Sequence, residues 1–105
     1  MGTDSTLVRR LKAARKAAGI SQKNLGIRAG IDEFVASARI NQYERGKHEP
    51  DQATVARLAA VLKVPVSFLY EPDDDVAALI QIGGSLPKTR LKALVKRLEK
   101  EAAQS

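Results

Sequence analysis

The feature that most limits how this chain can fold is residues 20–50, ISQKNLGIRAGIDEFVASARINQYERGKHEP, where glycine separates two short runs of helical periodicity. Ser21 has a side chain suited to capping free amides at a helix start, and Gln22, Leu25 and Ala29 follow it on one helical face. Gly30 ends that run, because glycine most readily takes the left-handed conformation that closes a helix; Ile31 can then pack back on the helix it leaves. Asp32 is placed to cap a second helix. In it Ala36, Ile40 and Tyr43, spaced i, i+4 and i+7, form a core-facing stripe. The other side carries Ala38, Arg39, Asn41, Gln42 and Arg45. Amides can pair bidentately with adenine, a guanidinium with guanine, and an alanine methyl can meet that of thymine, so this face has the chemistry of a base reader. It suits water equally well.

The ordered set of signals is more specific than any one of them. Ser-Gln opens the first run, Ala-Gly closes it, Ile-x-x-Tyr-Glu-x-Gly ends the second, and Pro50 precedes a further amphipathic run. ISQKNLGIRAG followed by INQYERGKHEPDQATVARLAAVLKVP resembles the Cro and phage-repressor type of helix-turn-helix, the xenobiotic-response-element (XRE) family, over residues 7–70. The resemblance implies an all-α fold. A five-helix phage-repressor-like DNA-binding domain is expected over residues 1–72, with an acidic hinge and a C-terminal helical appendage over 73–105. The implied function is that of a transcriptional regulator, read here as a repressor, that inserts the helix around residues 33–45 into the major groove of double-stranded DNA. Repression is carried over from similar proteins, and activation is equally compatible with these residues.

The resemblance also assigns site residues. Counting back from Ile40-Asn41-Gln42-Tyr43-Glu44 places Ser37, Ala38, Arg39 and Gln42 at the base-reading positions, with Asn41 on the same face. Ser21, Gln22 and Lys23 at one helix start, and Arg45 and Lys47 at another helix end, are expected on the DNA backbone, Gln22 alternatively bracing the reading helix. Arg15 and Glu44 are expected to form a structural ion pair.

Thirteen residues separate Gly30 from Glu44, about four more than the family's usual spacing, or about one helical turn. Counting forward from Gly30 would instead select Glu33 and Phe34 as readers. The backward count is preferred because Ile40, Tyr43 and Glu44 carry the packing. In a straight helix anchored on Ile40, Phe34 and Val35 turn outward. Either they cover a neighbouring surface, or they touch thymine methyls, or the helix starts later and they fold inward. The expectation is that the extra turn lengthens the reading helix at its amino end; an irregular segment at residues 32–35 with a helix start near Ala36 would overturn it.

Composition restricts the alternatives. The chain has no cysteine, which removes disulfides, thiolate metal sites and thiol catalysis and fits a reducing cytoplasm. His48, the one histidine, has no second ligand near it in sequence, so a loop contact to phosphate is preferred to a metal site. No cofactor, no catalytic residue and no membrane span are expected: there is no nucleophile and base pair, phosphate-cradling glycine loop, signal-peptide core in MGTDSTLVRR, or long apolar run. The net charge of +6 is uneven, +5 over residues 1–50, −3 over 51–75 and +4 over 76–105. A basic front end of this kind suits phosphate neutralisation.

The flanks follow the same periodicity. A first helix over residues 6–18 turns Leu7, Leu11, Ala14 and Ala18 inward and leaves Arg9, Arg10, Lys12 and Lys16 for solvent or phosphate. Asp51 caps a fourth helix with the stripe Val55, Leu58, Ala59 and Leu62; Pro65 opens a short fifth, in which Phe68 and Leu69 close the core. EPDDD at residues 71–75 reads as a solvated hinge and helix cap. Beyond it a short helix at residues 76–82, a break at Gly83-Gly84, and a helix opened by Pro87 are expected. Leu91, Leu94, Val95, Leu98 and Ala102 give that last helix an apolar stripe. It can pack on its own chain or pair with a second copy. A homodimer on a near-palindromic operator is preferred, since such regulators commonly use two-fold symmetry. The other class of function kept open is a partner-binding module, such as an antitoxin whose C-terminal helices hold an unidentified protein partner.

Overall fold

The structure, a computed structural model, describes residues 5–105; Met1 to Asp4, and with them the front of the MGTDSTLVRR segment, lie outside the described residues. It is built of α1 (Ser5–Ala17), α2 (Gln22–Arg28), α3 (Ala36–Glu44), α4 (Gln52–Leu62), α5 (Val66–Tyr70), α6 (Asp74–Ser85) and α7 (Lys88–Gln104). The stripes read from the sequence converge on one core: Leu7 and Leu11 from α1, Leu25 and Ala29 around α2, Ile40 and Tyr43 from α3, Val55, Leu58, Ala59 and Leu62 from α4, and Leu69 from α5. Leu11, Leu25, Ile40, Leu58 and Leu69 are sealed from solvent. Burying each such side chain contributes about 2 kcal/mol. Ala18, expected to face inward, lies beyond the end of α1 and is exposed.

The α2 and α3 pair is held by short-range chemistry at the turn and by a close approach between the helices. Ser21 Oγ accepts from Asn24 N (3.0 Å), capping α2. At the other end Ile31 N donates to Gly26 O (2.9 Å) and Gly30 N to Ile27 O (3.0 Å), while Gly30 sits at φ +89°. These two bonds satisfy the last carbonyls of the helix and fold half-buried Ile31 back on the core. Gly26 has a different role. A Cβ on it would lie 2.7 Å from the Cβ of Ala36, so only glycine lets α2 and the first turn of α3 come this close. Arg57 of α4 completes the brace, donating from Nε to Ala29 O (2.8 Å) and from Nη2 to Thr54 Oγ1 (3.2 Å).

The expected lengthening of the reading helix is overturned. Residues 32–35 form a turn and α3 starts at Ala36, because the Gly26 contact seats Ala36 against α2. The helix placed around residues 33–45 is therefore Ala36–Glu44. Asp32 caps the turn instead of the helix: its Oδ1 accepts from Phe34 N (2.9 Å) and its carbonyl from Val35 N (3.0 Å), whereas the helix N-cap is Val35, with no side-chain cap.

The C-terminal half also departs from expectation. The protein is all-α, with a helix-turn-helix domain followed by further helices, but the boundary is not a clean step from five helices to an appendage. Asp73 caps α6 by accepting from Asp75 N and Val76 N (2.8 and 3.0 Å), and α6 buries Ala77. Gly83 and Gly84 do not break the chain; they lie inside α6. A Cβ at Gly84 would stand 2.5 Å from Pro65 Cγ, so the glycine admits Pro65, the residue that opens α5.

EPDDD is exposed from Pro72 onward and caps a helix, as expected, and it also carries an anchor. Asp74 Oδ1 pairs with Arg9 Nη1 (2.9 Å) and Arg10 Nη2 (3.0 Å), while Arg10 Nε donates to Glu71 O (2.7 Å). Arg10, expected to be free for solvent or phosphate, is 8% exposed and lies 5.4 Å over the Phe68 ring, a cation–π contact. Hydrogen bonds from Arg9 first and Arg10 second, with the charges of both, hold the Asp74 carboxyl below its ordinary value of 3.8. Asp51 is lowered in the same direction by its hydrogen bonds from Thr54, with Arg57 adding a smaller attraction.

Candidate nucleic-acid interface

α3 presents its polar side on a rigid base. Ala36, Ile40, Tyr43 and Glu44 are buried beneath it; Ser37, Ala38 and Arg39 are exposed, and Asn41 and Gln42 are half-buried. The base is fixed by a buried ion pair. Glu44 accepts from Arg15 through Nε to Oε2 and through Nη2 to Oε1 (3.1 Å), and Arg15 Nη1 donates to Ile20 O (3.0 Å). With side chains 13% and 2% exposed, Arg15 and Glu44 are withdrawn from water, and the fork geometry satisfies both.

Gln22 joins this network. Its Nε2 donates to Glu44 Oε1 (3.1 Å) and to Asn41 Oδ1 (3.2 Å). Both amide hydrogens are thereby used, so the side chain braces α3 and has no donor left for a phosphate. Asn41 takes part in this network through Oδ1, so its Nδ2 donors are not used by it. Through Gln22 the first turn of α2 lies beside the end of α3, and Ser21, Lys23, Arg45 and Lys47 are all exposed.

Leu91, Leu94, Val95 and Leu98 lie elsewhere, on α7. None of them is buried: Leu91 and Leu94 are half-buried and Val95 and Leu98 are open to solvent. On α6, Val76, Leu79 and Ile82 are exposed as well.

Sequence reasoning missed three contributors to the frame. Gly26 carried a signal, since glycine inside a helical run suggests a close approach. The Arg9 and Arg10 clamp on Asp74 could be guessed only from the opposition of a basic and an acidic run far apart in sequence. Nothing local distinguishes Arg57, which reaches the end of α2 only once α4 is packed. Among the described residues no group of His, Cys, Asp or Glu is arranged to hold a metal ion, and no helix is long and apolar enough to cross a membrane.

Comparison with known proteins agrees with this architecture. The helix-turn-helix family profile matches residues 11–69, more than half of the chain. The solved structure described as "Crystal structure of transcriptional regulator BswR" is similar at 50% sequence identity, covering 93% of this chain and 98% of that chain with a TM-score of 0.85. That similarity extends past the family segment into the C-terminal helices. A search of curated proteins gave no match. The glycine-closed helix pair, the family match and the relative with the same fold together place this chain in the helix-turn-helix family of sequence-specific DNA-binding transcriptional regulators, of the Cro and phage-repressor type.

Proposed function

We propose that the protein is a repressor that binds a near-palindromic double-stranded operator as a homodimer, with α3 in the major groove. The observation that carries this reading is the combination on α3 of a fixed inner face and an unspent outer one. Ser37, Ala38, Arg39, Asn41 and Gln42 form the base-facing set, in which Arg39 is suited to guanine, Gln42 to adenine and Ala38 to a thymine methyl. Lys23, Arg45 and Lys47 neutralise phosphates on either side, and Ser21 caps the helix end that approaches the backbone. Gln22 acts by holding Asn41 and Glu44.

For the second copy, the support is α7. Its stripe of Leu91, Leu94, Val95 and Leu98 lies on a helix that buries none of its own residues, and pairing with the same stripe removes that apolar surface from water. Residues 1–72 then act as the reading domain and residues 73–105 as the dimerisation segment, joined through the Asp74 clamp.

The test is a binding selection from random duplex DNA near physiological salt, with the wild type and with an Arg39→Ala, Gln42→Ala double variant. Enrichment of a two-fold symmetric motif, lost or relaxed in the variant, is the expected result. A motif unchanged in the variant would remove α3 as the reader. Binding without any motif would defeat sequence specificity, and a wild type that binds no DNA while retaining an unrelated protein on α7 would favour the partner-binding class.

A further inference from the structure

We infer that the turn at residues 32–35 is a second base-reading element, in which Phe34 contacts a thymine methyl beyond the base steps read by α3. The inference rests on α3 being the reading helix. Three observations carry it. Phe34 is 89% exposed, far more than any other large apolar residue of the described chain. It is not on a loose loop: Asp32 Oδ1 accepts from Phe34 N (2.9 Å), Asp32 O accepts from Val35 N (3.0 Å), and Arg39 N donates to Val35 O (2.8 Å), so the turn is bonded into the first turn of α3. Finally, the side chain stands two residues before the amino end of α3, the end of a recognition helix that meets base edges.

Charge narrows what Phe34 can touch. Asp32 and Glu33 precede it, so the turn is repelled by phosphates and has no cation with which to hold the backbone. The attraction this turn offers DNA is apolar, and in the major groove the apolar group is the thymine C5-methyl, which phenylalanine can meet. An exposed glutamate beside it can accept from cytosine N4 and is repelled by the N7 and O6 acceptors of guanine, so Glu33 disfavours guanine at the adjoining position. The four additional residues between Gly30 and Glu44 thus add an outer reading position without lengthening the helix.

The experiment uses the full chain and the operator obtained by selection, with each thymine replaced in turn by uracil, which removes only the methyl group. Wild type is expected to lose about fourfold in affinity at one symmetric pair of thymines outside the α3 steps, the size set by withdrawing one methyl from an apolar contact. Phe34→Ala removes the contact from both copies, so it should lose about the square of that factor, roughly sixteenfold, on the thymine operator and become indifferent to uracil at that pair, with unchanged thermal unfolding; Phe34→Leu should retain part of the discrimination. A Phe34→Ala variant that binds with wild-type affinity and the same uracil profile overturns the inference while leaving α3 as reader. Failure of the wild type to bind any duplex would instead defeat the reading on which it rests.

Discussion

α3 and α7 each carry an apolar stripe at helical spacing, but α3 closes its stripe within its own chain while α7 leaves Val95 and Leu98 open to solvent. Around α3, the stripe is supplemented by contacts that admit one arrangement: Ala36 against Gly26, and Glu44 in the fork of Arg15 with Gln22 bridging to Asn41. Among the described residues none on α7 is buried; Leu91 Cδ1 lies 3.6 Å from where a Cβ on Gly83 of α6 would stand. Apolar periodicity says that a helix has a face to cover. Directional bonds and close approaches say what covers it and in which register; α3 has them, whereas α7 keeps Val95 and Leu98 exposed.

The strongest way to break this contrast is to remove the Glu44 carboxylate. Glu44→Ala leaves Arg15 and Gln22 without their acceptor, and breaking a buried pair of this kind costs about 3 kcal/mol. Urea denaturation at neutral pH reads it as a lower midpoint with little change in slope; a loss no larger than that of an exposed ion pair would show that the network does not hold α3. Gly26→Ala should cost less, about 1 kcal/mol, because overpacking against Ala36 is partly offset by the better helix propensity of alanine. The same variant should perturb amide shifts at the start of α3 more than at its end, and uniform shifts would argue against a local clash.

The Asp74 clamp should respond to acid. Its carboxyl is lowered by Arg9 and Arg10, so the docking it supports is fully present above 3.8 and is lost as pH falls through the still lower folded value. Amide exchange protection in α6, corrected for intrinsic rate, should therefore fall as pH drops below about 3.8. Asp74→Asn should start from weaker protection and lack that acid step. A variant with the wild-type acid step would assign it to another carboxylate.

The smallest effect on the folded monomer is expected at α7. Leu94→Glu with Leu98→Glu removes no buried side chain, so unfolding at protein concentrations low enough to be monomeric should shift by less than about 0.5 kcal/mol. Sedimentation at high micromolar concentration is the sharper readout: the pair of substitutions should convert a dimer to a monomer. A wild type that already sediments as a monomer would remove the second copy from the proposal.

Much of the fold is legible locally. The Ser21 and Asp51 caps, the Gly30 closure and the stripes of α1 and α4 each rest on residues within a turn or two of one another, and the limits of α5 follow from Pro65. The polar face proposed to read bases follows from the same periodicity: Ser37, Ala38 and Arg39 are exposed and Ile40 and Tyr43 are buried. What failed were inferences that extended a local pattern across a contact. The reading helix looked a turn longer because nothing near Phe34 forbids a helix there; the close approach of Gly26 and Ala36 sets the start. Gly83 and Gly84 looked like a break because glycine weakens a helix, yet Gly84 admits Pro65.

The sequence by itself therefore determined the helices, their inward faces and the family, because caps, turns and periodicity are short-range properties of the chain. Only the tertiary structure decided where α3 begins, that Gln22 spends its donors on Asn41 and Glu44, and that Arg9 and Arg10 hold α6. Those outcomes depend on groups from ten to more than sixty residues apart, whose meeting is fixed only when the core has closed.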